Sequence, residues 1–146
     1  VHREMFARRA MDYAPKVRSR IECGALIPAS AYVQAQRLRR QFRLEMEAAI
    51  GGAFDALIAP AAPSPAPTEL SSTGDPAFQA PWTTAGLPVL NLPTGLSDLG
   101  DGAVPLGIQL IARGFEEERL LRVGRWVEKT LDVDLDAPPA RAAEGL

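Results

Sequence analysis

The sequence predicts an α/β protein in which helices cover a small sheet, and three observations carry that prediction. Apolar residues recur at every third or fourth position after Pro28; short, nearly continuous apolar runs follow at 55–59, 88–94 and 104–112; a second helical stripe closes the patterned part at 115–131. With 146 residues the chain has room for about one core, on a scale of roughly 100 to 200 residues per domain. Its 47% hydrophobic and 23% charged residues and mean hydropathy of -0.04 exclude global disorder and fibrous repetition.

Taken in order, residues 1 to 10 read as a short helix carrying Met5, Phe6 and Arg8. Asp12 is placed to cap a second helix over Tyr13 to Cys23, with Pro15 in its first turn, where the missing amide has no intrahelical partner anyway, and Gly24 at its end. Pro28 and Ser30 open the longest helix, with Tyr32, Ala35, Leu38, Phe42, Met46, Ala49 and Ala53 as its apolar stripe. On its polar side Gln41 and Glu45, and Arg43 and Glu47, lie one turn apart and can pair. Gly51 and Gly52 mark either the end of this helix or a close approach of a neighbouring backbone.

The run Asp55 to Ala59 is short and, after Asp55, continuously apolar, which predicts a strand buried on both faces in the middle of a sheet. Eight of the 13 prolines fall between Pro60 and Pro93, giving a long irregular connection. Phe78, Trp82, Leu87 and Val89 within it predict that it is packed, because aromatic and aliphatic side chains in a solvated linker forfeit their burial energy. Pro88 to Thr94 and Val104 to Ala112, joined by a turn containing Gly95, Asp98, Gly100, Asp101 and Gly102, predict an antiparallel pair. Gly114 can cap a last helix from Phe115 to Leu131, whose stripe is Leu120, Val123, Val127 and Leu131 and whose acidic start and basic end suit the helix dipole. Residues 132–146 read as a flexible tail.

Composition narrows function mainly by exclusion. A net charge of -2 and a pI near 5.4 favour neither nucleic acid nor a membrane surface. The charge is uneven: residues 1–50 carry ten Lys/Arg against five Asp/Glu, which reads as solvated helix faces rather than a nucleic-acid surface. No apolar run approaches the roughly 20 residues of a membrane helix. Cys23, the only cysteine, rules out an internal disulfide and, with His2 as the only histidine, rules out a Cys/His zinc site, so a reducing, cytoplasmic setting is expected. The first residue is Val1, as in a piece cut from a longer polypeptide.

Candidate chemistry is sparse. Ser71 and Ser72 have no base or oxyanion donors in their local sequence and read as turn residues. His2 reads as a surface or capping residue, Cys23 as a small buried side chain, and Lys16 and Lys129 as solvated helix charges. Gln109 stands out as an amide within the apolar strand Leu106 to Ile111. If its face is covered it must be hydrogen-bonded, either bridging to a neighbouring loop or contacting substrate. Trp82 and Thr83 are the candidate lining of a pocket.

The segments Asp55-Ala-Leu-Ile-Ala-Pro60, Thr73-Gly-Asp-Pro-Ala-Phe78, Pro81-Trp-Thr-Thr-Ala-Gly-Leu-Pro-Val89, Leu92-Pro-Thr-Gly95 and Val104-Pro-Leu-Gly-Ile-Gln-Leu-Ile-Ala112 resemble, in order and spacing, the C-terminal portion of amidase-signature enzymes. Upstream, Asp12-Tyr-Ala-Pro15 and Arg18-Ser-Arg-Ile-Glu-Cys-Gly24 resemble the helical stretch that precedes it in bacterial members. The resemblance covers the chain to about Leu131 and implies a mixed sheet in an α/β/α fold, with long helices on its N-terminal side, residues 1–131 forming the C-terminal segment of an amidase domain. It further implies amide-bond hydrolysis by a serine, a second serine in a cis peptide and a lysine, with no cofactor and no metal. The Gly-Gly-Ser-Ser-Gly-Gly segment that carries those serines is absent, and neither lysine sits in the catalytic context. The resemblance therefore implies a pocket-forming, core-completing piece that is inactive alone and needs the N-terminal part of the domain to act on a small-molecule amide. A homodimer, the glutamine-using component of a tRNA-dependent amidotransferase, and a non-catalytic interaction module left by truncation remain open alternatives.

Overall fold

The computed structural model describes residues 2–67, 69, 71–98 and 103–133, and the expected tail beyond Val133 lies outside them. Two compact units divide in sequence between Arg39 and Arg40. The first holds α1 (Arg3–Arg9), a 3-10 turn (Ala10–Asp12), α2 (Pro15–Ala25) and the start of α3 (Ala29–Ala53). Neither α1 nor α2 has a buried residue. What orders this end is local: the Phe6 and Tyr13 rings lie 5.5 Å apart, His2 stands edge-on to Tyr13, and Arg9 pairs with Asp12.

Pro15 occupies the first turn of α2 as expected, but two other expectations for this helix fail. Asp12 is held by Arg9 in the 3-10 turn, so Ala14 is the N-cap; Gly24 keeps a helical backbone, so α2 runs on to Ala25 and is capped by Leu26, whose amide donates to Cys23 O while the Ile27 amide donates to Gly24 O. Cys23 is exposed, because α2 buries no face that could cover it.

The second unit is built on a three-stranded sheet in the order β1 (Leu57–Pro60), β3 (Ala103–Ile111), β2 (Val89–Asp98), antiparallel at both seams. The long pairing of β2 with β3 is the one the sequence predicts. Its register slips by one residue between Pro93 and Gly95, where a bulge absorbs the break. Proline at 105 is tolerated in the central strand because, among the described residues, β1 pairs with Ile108 to Ile111 and not with that end of β3.

Strand alternation sends successive β3 side chains to opposite faces. On one face Ile111 meets Ile50 from α3, Ala85 from α4 (Ala80–Ala85) and Leu87, with Phe42, Met46, Leu57, Ala59 and Trp82 packed around them. On the other face Leu110 and Leu92 meet Leu120 from α5 (Glu117–Leu131), backed by Ala56, Leu90, Ile108, Val123 and Val127. The result is helix, sheet, helix. Full burial of a side chain such as Ile50 or Ile111 stabilises such layers by about 1.5–3 kcal/mol.

Three further expectations are corrected by the structure. The strand expected at 55–59 is an edge strand of the described sheet: Ile58 is 65% exposed, because α5 packs on β2 and β3 and leaves the outer end of this face uncovered. On α3 the expected stripe is displaced. Tyr32 and Leu38 are exposed, and the helix seats itself through Phe42, Met46 and Ile50, each one turn from the next. The last helix starts at Glu117 rather than Phe115, since Phe115 takes a left-handed φ of 64° that a helix cannot continue through and leaves its ring exposed, while Glu116, not Gly114, is the N-cap. Its stripe holds as far as Val127, and its closest seat on the sheet is Gly124, where a Cβ would overlap the Leu90 side chain.

Candidate functional site

The site is built where the connection out of β1 returns to the sheet. Gln109 is fully buried on the central strand, opposite Ala59 in β1 and Asn91 in β2. Its Nε2 donates to Pro60 O at 2.9 Å and to Phe78 O at 2.8 Å. A primary amide nitrogen has two N–H groups, and each carbonyl takes one. The neck of the connection is tied twice more: Gln79 Nε2 donates to Ala61 O at 3.1 Å, and the Ala61 amide donates to Gly107 O at 3.0 Å. Of the two roles the sequence leaves open for Gln109, the geometry shows the bridge to a loop.

Directly after this neck, Pro76 O accepts the amides of Gln79 and Ala80 and starts α4. Pro81 sits in the first turn. The helix stops at Gly86, whose φ of 71° lets its amide turn back to Trp82 O at 2.9 Å, and the Leu87 amide shares the same oxygen at 3.2 Å. Trp82 thus stands in the first turn of α4, and its carbonyl oxygen accepts both amides that close the helix. Its ring is half-buried against the Ile50 and Ile111 cluster and lies nearly parallel to Phe42, centroids 6.3 Å apart. Thr83, its neighbour in sequence, is exposed on the turned-away side of the helix. The two candidate lining residues therefore stand at different depths. Two buried polar atoms are without a hydrogen-bond partner among the described residues, Trp82 Nε1 and Gln109 Oε1, both on the α3 and α4 face.

The other residues weighed for chemistry fall elsewhere. Ser72 Oγ accepts the Gly74 amide at 3.3 Å and Ser71 Oγ donates to Glu69 at 3.1 Å, both on an exposed turn. His2 Nδ1 lies 3.2 Å from the Tyr13 hydroxyl, and Lys16 and Lys129 are exposed on helices. Among the described residues no group of three His, Cys, Asp or Glu could hold a metal ion. On the opposite face of the sheet, an open groove of about 490 Å³ is lined by Asp55, Arg119, Arg122, Val123 and Trp126, with Arg119 held to Asp55 at 3.0 Å.

Sequence reasoning missed Gln79 and Phe78 O as parts of the neck. Phe78 contributes through its carbonyl, which any residue carries, so its type gave no signal; Gln79 is one exposed amide among several and becomes informative only when Ala61 is beside it.

Known proteins share this architecture and sequence. A family model described as Amidase matches residues 1–121. The chloroplastic/mitochondrial glutamyl-tRNA(Gln) amidotransferase A-subunit of Vitis vinifera is 34% identical over 146 residues, covering 92% of this chain and 27% of the relative. The glutamyl-tRNA(Gln) amidotransferase A-subunit of Parvibaculum lavamentivorans is 36% identical over 135 residues, covering 85% of this chain and 27% of its own length. A solved structure, described as the inhibitor-bound form of a vestigial protein complex that reveals the evolutionary origins of an s-triazine catabolic enzyme, superposes with a TM-score of 0.74 at 33% identity, covering 88% of this chain and 30% of that one. The chain thus spans about a quarter of the length of the curated relatives it matches. With the helical start, the β2–β3 pair and the Gln109 neck all inside the matched region, the chain belongs to the amidase family.

Proposed function

We propose that residues 1–131 act as the C-terminal segment of a serine amidase, completing its core and supplying one wall of its substrate pocket. The catalytic serines and lysine come from the remainder of the domain, so this chain does not hydrolyse amides alone. The observation that supports this reading most is the half-covered sheet. Ile58 on one face and Val89 on the other are exposed, and each lies where one more packed element would be seated. A sheet of this kind completes its layers against further protein.

Within that assembly the division of labour is physical. Acyl transfer needs nucleophile, base and oxyanion donors fixed together, and it also needs a wall that holds the acyl or amine part of the substrate against them. Trp82, braced by Phe42 and the core, is that wall, with Thr83 at its rim. The substrate is a small or medium carboxylic amide, no cofactor takes part, and the setting is cytoplasmic; among the described residues no helix is long and apolar enough to cross a membrane. The exposed apolar surface also permits a homodimer. The repeated match to tRNA-dependent amidotransferases favours a second reading, in which the assembled protein draws on glutamine for a tRNA-dependent transfer. A strong preference for glutamine over other carboxamides in the joined polypeptide supports that reading.

The test is Trp82→Ala in a polypeptide joining this chain to the catalytic portion. Removing an apolar wall changes discrimination by about 10- to 200-fold per methylene-sized difference, so the ratio of kcat/KM between bulky and small acyl groups shifts at least tenfold. An unchanged profile across acyl sizes removes Trp82 from the pocket.

A further inference from the structure

Gln109 does more than fill space between the sheet and α4. Its side chain is fully buried, and its single amide nitrogen reaches both ends of the connection that leaves β1, at Pro60 O and at Phe78 O. Phe78 lies immediately before the Gln79 and Ala80 amides that open α4, and Trp82 stands in the first turn beyond them. A displacement of Phe78 is therefore carried to Trp82 through less than two turns of backbone. Few side chains can do this work. Methionine has the length and no donor, glutamate has the shape and only acceptors when ionised, and asparagine has the donors on a shorter stem.

We propose that Gln109 is the positioning residue of the Trp82 wall: by donating to both ends of the connection it fixes where Trp82 stands, and so which acyl groups the pocket admits. The statement about acyl groups rests on Trp82 being a pocket wall, as proposed above; the statement about the position of Trp82 does not.

The experiment uses the 146-residue chain carrying Trp126→Phe, which leaves Trp82 as its one indole. In that background Gln109→Met, Gln109→Glu and Gln109→Asn are compared by indole emission and by amide hydrogen exchange. Gln109→Met is expected to red-shift the emission and to speed exchange at Gln79, Ala80 and Gly86 at least tenfold, while the amides paired between β2 and β3 keep their protection. Gln109→Glu is expected to be worse at pH 7.5, because carboxylate oxygens then face two carbonyl oxygens. It regains part of the native emission on acidification, as the new carboxyl protonates and restores one donor, a recovery the unsubstituted chain does not show. Gln109→Asn falls between the native chain and Gln109→Met, and serves where the charged variant does not fold. Native emission in Gln109→Met overturns the proposal. So does a loss of protection spread evenly over α4 and the β2–β3 ladder, or an asparagine variant indistinguishable from methionine. If instead these results appear as expected and Trp82→Ala leaves the acyl profile unchanged, the pocket reading fails and the positioning role stands.

Discussion

The two faces of the sheet are covered by different kinds of layer. On the α5 face the contacts are aliphatic throughout, and Gly124 lets the helix backbone settle onto Leu90. On the α3 and α4 face the layer mixes Ile50 and Ile111 with two aromatic rings, and it holds Gln109, the polar side chain buried among the described residues. The coverage is also diagonal: α5 seats on β2 and β3 and leaves Ile58 of β1 exposed, while α3 and α4 seat on β1 and β3 and leave Val89 of β2 exposed. One face holds the fold together; the other holds it together and also carries the arrangement that positions Trp82. A buried amide is costly where its donors or acceptor go unpaired; here both N–H donors of Gln109 are used, while its Oε1 has no partner among the described residues.

The largest test of this contrast is Ile111→Ala. The residue is fully buried at the centre of the α3 and α4 face, and its truncation should cost about 2–5 kcal/mol in chemical unfolding of the chain. A loss below about 0.5 kcal/mol, within the range of a surface change, would mean that this face is not packed. Next is Gly124→Val. Forcing side-chain atoms against Leu90 should cost about 1–3 kcal/mol, with faster exchange at the Leu120 amide and unchanged Trp82 emission. Movement of Trp82 in that variant would show that the two faces are coupled rather than separate. The smallest effect belongs to Ile58→Lys. In the isolated chain it should stay within about 0.5 kcal/mol of the native stability, since the side chain is 65% exposed; a clear destabilisation would mean that the uncovered end of the α5 face is filled by a contact within this chain.

Much of this layout was legible in the sequence, for physical reasons that differ by element. The β2–β3 pair was readable because two apolar runs flank a glycine- and aspartate-rich turn, and that pattern has few alternatives. Gln109 was readable as a bridge because an amide in a covered strand must find partners. The edge position of β1 was not readable. A continuous apolar run of four or five residues looks the same in the middle of a sheet and at an edge whose second face is uncovered, and pairing partners distant in sequence decide between them. Periodicity identifies a face of α3 but not which stretch of it is seated, so Tyr32 and Leu38 fit the expected stripe and are exposed while Ile50 lies off it and is buried. Gly24 and Gly114 show the same limit. Glycine is equally at home inside a turn of helix and just outside one, and only the backbone angles tell the cases apart. For the site, Trp82 and Thr83 were adjacent candidates, and the helix separated them by burial, a distinction that sequence adjacency hides.

On the proposed function, this chain shapes and completes an amide-hydrolysing site whose catalytic set comes from the rest of the domain. The most direct measurement is hydrolysis of a panel of small carboxamides, glutamine included, by the purified 146-residue chain and by the same chain joined to the catalytic portion. Ammonia release is expected from the joined polypeptide, and none above background from the chain alone. Turnover by the chain alone that disappears in Ser72→Ala would contradict the proposed function.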